Sequence, residues 1–144
     1  MISRNYREQL DWVPLSGYLL RKAGVQFDAV RLDGRGARLV ADCLEGMTDG
    51  EPGPVVHQVN GRRSMYFLLP PGSTYRRPWP AVAVRFNGEA GRISYVPVPA
   101  LEGDTWPLTW RFPPTEPGRF VHPLLLRSAV VALLLNRPGA LGGG

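Results

Sequence analysis

The sequence predicts an α+β fold: a single domain built on a mainly antiparallel sheet of about five strands flanked by helices. Three observations carry this. Segments with helical spacing alternate with short β-rich runs, in the order helix, strand, helix, hairpin, hairpin, helix. The 17 glycines and 15 prolines exceed average usage, which favours short elements and many turns. At 144 residues and 44% hydrophobic, the chain has material for one domain and is too apolar to be wholly disordered. The expected division is an N-terminal arm over 1–15, the domain over 16–137 and a flexible tail over 138–144.

Ser16 to Ala23 reads as a short helix, with Ser16 as N-cap and Gly24 as stop. Val25 to Leu32 reads as a strand bounded by Gly24 and Asp33-Gly34. Gly36 to Met47 is the clearest amphipathic helix. Leu39, Val40, Cys43, Leu44 and Met47 share one face, and Arg38, Asp42 and Glu45 fall off it. Val55–Val59 and Arg62–Leu69 flank Asn60-Gly61, a pair suited to a tight type I′ hairpin turn. Ala81–Phe86 and Arg92–Val98 read as a second hairpin, whose Pro97 and Pro99 place its last strand at a sheet edge. Ala100 to Phe120 is expected to wrap the domain as a long loop pinned by Trp106 and Trp110. His122 to Asn136 is a helix apolar nearly all round, either a core helix or a self-association surface.

No apolar run approaches the roughly 20 residues of a membrane helix. Met1 to Glu8 lacks the apolar stretch of a signal peptide. A cytoplasmic protein with no membrane partner is therefore expected. The single cysteine, Cys43, excludes an internal disulfide and reads as a small core residue.

Charge is distributed unevenly. The net charge is +5, and all basic residues but Lys22 are arginine. Between Pro52 and Gly88 there is no acid and there are five arginines: Arg62, Arg63, Arg76, Arg77 and Arg85. Interleaved with them are Tyr66, Tyr75 and Trp79. Arginines neutralise phosphates and aromatic faces stack on unpaired bases, so this segment fits nucleic acid, single-stranded by preference. The plainer reading makes the arginines a solvated face, Tyr66 an ordinary sheet residue and Trp79 a lid on the core.

Catalytic motifs are sparse. His57 and His122 are the only histidines, and no His-Glu-x-x-His run exists, so neither a metal site nor a cofactor is expected. Ser64 is not in a nucleophile elbow. Gly34-Arg35-Gly36 lacks the remainder of a phosphate-binding loop, yet it opens a helix, where an anion is welcome.

Several runs carry a resemblance. These are Gly24–Arg31, Gly53–Val56 leading through a Gly-Arg turn to Met65-Tyr66-Phe67, Pro70-Pro71-Gly72, Ala83-Val84-Arg85 and Tyr95–Pro99. Together they resemble the N-terminal domain of actinobacterial and plasmid bifunctional DNA primase/polymerases, over about residues 24 to 112. The resemblance implies a divalent-metal site, of which Asp28 matches one acid. Val30, Met65 and Ala83 stand where the family has a second acid, a histidine and a third acid. Such side chains hold neither Mg²⁺ nor a triphosphate. The expectation is therefore a non-catalytic relative with no catalytic residues, binding nucleic acid or a replication-associated partner through Arg62, Arg63, Tyr66, Tyr75, Arg76, Arg77, Trp79 and Arg85. The rival expectation is a protein-interaction or homodimerisation module using residues 122–135.

Overall fold

A computed structural model describes residues 10–75, 78–89 and 91–135. Its centre is a five-stranded antiparallel sheet in the order β5-β2-β4-β3-β7, formed by β2 (Asp28–Asp33), β3 (Val55–Gln58), β4 (Ser64–Leu69), β5 (Val84–Phe86) and β7 (Leu108–Phe112). A second, two-stranded antiparallel sheet pairs β1 (Tyr18–Lys22) with β6 (Tyr95–Pro99). The helices are α1 (Gly34–Met47) and α2 (Pro123–Val130), the latter continuing as a π-helical turn over Val131–Leu135.

Strand alternation assigns the two faces of the large sheet. Val30, Leu32, Val55, Met65, Phe67 and Leu69 point to one side and pack with Ala37, Val40, Ala41 and Leu44 of α1 and Leu126, Ala129 and Val130 of α2. Ala29, Val56, Tyr66, Leu68 and Leu108 point to the other and pack with Phe27, with Val96 and Val98 of β6, and with Leu10 and Trp12. Helices, five-stranded sheet and two-stranded sheet therefore form three layers. All six residues of β4 are buried, as a central strand covered on both faces requires. An isolated two-stranded ribbon is marginal in water, so burial of Val96 and Val98 anchors the outer layer.

Several expectations change. Ser16–Ala23 is not a helix. Its Tyr18–Lys22 core is β1, drawn into extended form by β6. Gly24 does end the element, at φ +88°, in a turn where its N–H donates to Phe27 O at 2.7 Å. A Cβ on Gly24 would stand 2.2 Å from Gly88 N, so two backbones touch there. The second predicted hairpin is split. β5 joins the large sheet beside β2, whereas β6 pairs with β1 alone, the edge that its prolines favour. Asn60-Gly61 is not a two-residue turn. Asn60 O accepts from Arg63 N at 3.1 Å, and the positive φ angles fall on Gly61 and Arg63.

The buried stripe of α1 is also rotated from the predicted one. It runs through Ala37, Val40, Ala41 and Leu44, while Met47 is exposed. Small alanines let the helix approach the sheet closely. The expected wrapping loop contains β7, which pairs with β3. Trp110 is an anchor there, its Nε1 donating to Ala100 O at 3.2 Å, but Trp106 is 69% exposed. Trp12 is the aromatic that the sequence reading overlooked. Lying within the expected arm, it is 5% exposed and meets Phe27, Trp110 and Phe120 at 5.2, 6.3 and 6.0 Å. The tail over 138–144 lies outside the described residues. No helix among the described residues is long and apolar enough to cross a membrane.

Candidate phosphate-binding site

The eight predicted contact residues do not form one surface. Tyr66 is 7% exposed and its ring lies 5.6 Å from that of Phe86, within the second core. It is closed to a base because the β1–β6 layer covers that side of the sheet. Tyr66 is a core residue, which corrects its expected role in stacking. Trp79 is half-buried against the helix-side core, its Nε1 without a partner among the described residues. Arg76 and Arg77 lie outside the described residues.

The remaining four residues separate. Arg62 and Arg63 sit at the Ser64 end of β4, beside Asp33. Tyr75 follows Thr74, which is bonded to Asp28 at the other end of β2. Those ends are about 17 Å apart by strand rise. Arg85 donates from Nη1 to Thr74 O at 3.1 Å, which fixes it near the Tyr75 end.

At the Arg62–Arg63 end a pocket of about 500 Å³ opens, lined by Gly34, Arg35, Arg38, His57, Gly61, Arg62, Arg63 and Met65. Three elements meet there. α1 starts at Gly34, whose N–H donates to Arg63 O at 3.2 Å, so the β3–β4 turn lies against the head of the helix. His57 is on β3 opposite Met65 of β4 and thus shares the helix-side face.

Asp33 occupies the N-cap position of α1 in extended conformation, yet its side chain does not cap the helix. Instead Ser64 Oγ donates to its Oδ1 at 2.7 Å, and Arg62 Nη1 lies 3.7 Å from its Oδ2. Arg31 Nε stands 3.3 Å from Oδ1 without hydrogen-bond geometry. The first turn of α1 carries no acid, and the Asp33 carboxylate at the N-cap position is the negative charge at that end of the helix dipole.

Arg35, Arg38 and Arg63 are exposed and have no carboxylate partner among the described residues. Nearby Arg111 is different: its Nη2 lies 3.1 Å from both Asp42 and Glu45. The pKa of His57 is pushed below its ordinary value, first by burial and then by the charges of Arg111, Arg38 and Arg63. Sequence reasoning named Arg62 and Arg63 as contacts but not Arg35, Arg38 or His57, although it marked Gly34-Arg35-Gly36 at a helix start as a place for an anion.

The metal site implied by the primase/polymerase resemblance does not fit these residues. Asp28 is fully buried, and its Oδ2 accepts from Thr74 N at 3.1 Å and Thr74 Oγ1 at 2.8 Å. Thr74 Oγ1 in turn accepts from Asn87 Nδ2 at 2.8 Å. Asp28 Oδ1 has no partner, but the other family positions are Val30, Met65 and Ala83, all buried and apolar. No group of three His, Cys, Asp or Glu side chains suited to a metal stands together among the described residues. In comparisons with protein-family models, curated proteins and solved structures, the chain matches none.

Proposed function

We propose that this chain is a nucleic-acid-binding module that holds phosphate groups in the basic pocket at the head of α1. The observation that carries the reading is the convergence of Arg35, Arg38 and Arg63, without carboxylate partners among the described residues, with Arg62 and a helix N-terminus that its N-cap side chain does not cap. Guanidinium forks and helix N–H groups are the donors that phosphate oxygens accept from best. The resemblance of residues 24–112 to primase/polymerase domains supports nucleic acid as the polyanion and contributes no chemistry. With Tyr66 in one core and Trp79 half-buried against the other, Tyr75 is the predicted stacking residue still exposed, and the reading rests on phosphates rather than bases.

The rival docking surface on residues 122–135 has less support. Leu126, Ala129 and Val130 are spent on the core, and Leu124 is the large apolar side chain of the segment that stays exposed.

The test is fluorescence anisotropy of a labelled single-stranded oligonucleotide and its duplex, titrated with the full chain at low and moderate salt. Binding at low salt that weakens steeply with added salt is expected. No binding of either form at low salt overturns the reading.

A further inference from the structure

The geometry points to a strand end, carrying a terminal phosphate, as the ligand of the pocket at the head of α1. This rests on the nucleic-acid reading and narrows it. The argument begins with charge density. Arg35, Arg38, Arg62 and Arg63 line a space of about 500 Å³, and among the described residues no acidic side chain lines it with them. The nearest carboxylate, Asp33, is already held by Ser64 and approached by Arg62, whose side chain is 82% exposed and remains available.

A pocket of this size admits about one nucleotide. An internal nucleotide brings a single diester charge. A terminal phosphomonoester brings about −1.5 to −2 at pH 7, with three strong acceptor oxygens in place of two. Only the terminal group approaches the positive charge gathered here. Its oxygens also suit donors arriving from two directions: Arg35, Arg38 and the helix N-terminus from α1, and Arg62 and Arg63 from the β3–β4 turn.

The lining supplies a second argument. Among the described residues it contains no phenylalanine, tyrosine or tryptophan, and Met65 is its one large apolar side chain. The lining therefore lacks the large aromatic platforms on which single-stranded bases stack in succession. His57 adds a small polar ring to a wall otherwise made of guanidiniums and glycines. The selectivity of such a site lies in the phosphate, with bases left outside and unread.

The experiment uses the full chain and one single-stranded sequence, labelled internally, in three forms: 5′-phosphorylated, 3′-phosphorylated and hydroxyl at both ends. One phosphorylated form is expected to bind about tenfold tighter than the hydroxyl form, or more, the worth of one added charge-assisted hydrogen bond. Whichever form wins assigns the polarity. In the Arg35→Gln/Arg38→Gln variant the gap between forms should shrink to under about twofold. Both side chains are exposed, so an unchanged melting temperature is expected and confirms that the variant is folded. Equal affinity for all three forms overturns the strand-end inference and leaves the nucleic-acid reading standing. A gap that persists in the folded variant also overturns the inference. Failure of every form to bind at low salt overturns both.

Discussion

Replacing Arg38 and Arg63 by glutamine should change how binding responds to salt, by an amount that the pocket sets. Each arginine that neutralises a phosphate releases condensed counterions. For a single strand the slope of log K against log salt is about −0.7 per phosphate contacted. The two charges of a terminal phosphate held by the lining arginines therefore give a slope of about −1.4, a loss of about sevenfold in affinity between about 50 and 200 mM salt. With half of the arginines removed and one charge neutralised the slope falls to about −0.7, and the loss over the same interval to about 2.6-fold. Glutamine keeps most of the side chain's length and inherits the backbone of Arg63 at φ +57°, so the exchange adds no new strain. Anisotropy titrations at several salt concentrations measure both slopes. Arg92→Gln, at an exposed position before β6, serves as the control and should keep the parent slope. A double variant with the parent slope would falsify phosphate binding in the pocket, whatever its absolute affinity.

Three further outcomes follow from the packing and the charges. Gly24→Ala forces a side chain into φ +88° and against Gly88 N, which should cost about 3 kcal/mol or more in urea unfolding; a loss under about 1 kcal/mol would mean that the two backbones do not touch. Trp12→Ala should cost about 3–5 kcal/mol, while Trp106→Ala stays within about 0.5 kcal/mol, and the reverse order would contradict the assigned cores. The pKa of His57 is lowered in the folded chain, so its unfolded form binds the proton more readily. Its share of stability is therefore present above the ordinary value of 6.5 and is lost as pH falls through the lowered folded value. Unfolding titrations from neutral pH downward should show this loss, and His57→Gln should reduce it; an equally steep loss in the variant would place its origin elsewhere.

What the sequence made legible follows from the range of the interactions involved. α1 and β4 are readable because their patterns are local: a 3.6-residue stripe, and a run of apolar residues bounded by turns. β1 is not. Tyr18, Leu19 and Leu20 are all exposed, so the segment has no amphipathic period of its own, and its extended form comes from pairing with β6, more than 70 residues along the chain. The same remote pairing hides Tyr66, since the outer layer that covers it exists only once β6 has met β1.

The pocket shows the limit more sharply. The acid-free stretch marks Arg62 and Arg63, but half of the site's arginines come from α1, and tertiary contacts such as those of Gly34 with Arg63 and of Asp33 with Ser64 bring the two groups together. Nor does a count of arginines reveal which are unspent. Arg38 and Arg111 both raise the local field at His57, yet Arg111 is tied to Asp42 and Glu45 while Arg38 makes no ion pair among the described residues. Asp42 follows Arg38 by one helical turn on the same helix, a spacing that suits an internal ion pair. The carboxylate instead closes on β7, so the strand takes the helix's counter-charge and leaves Arg38 with its surplus. Removing Arg111 would then return Asp42 to Arg38 and weaken phosphate binding from outside the pocket, a coupling that a single-residue reading of the basic segment does not contain.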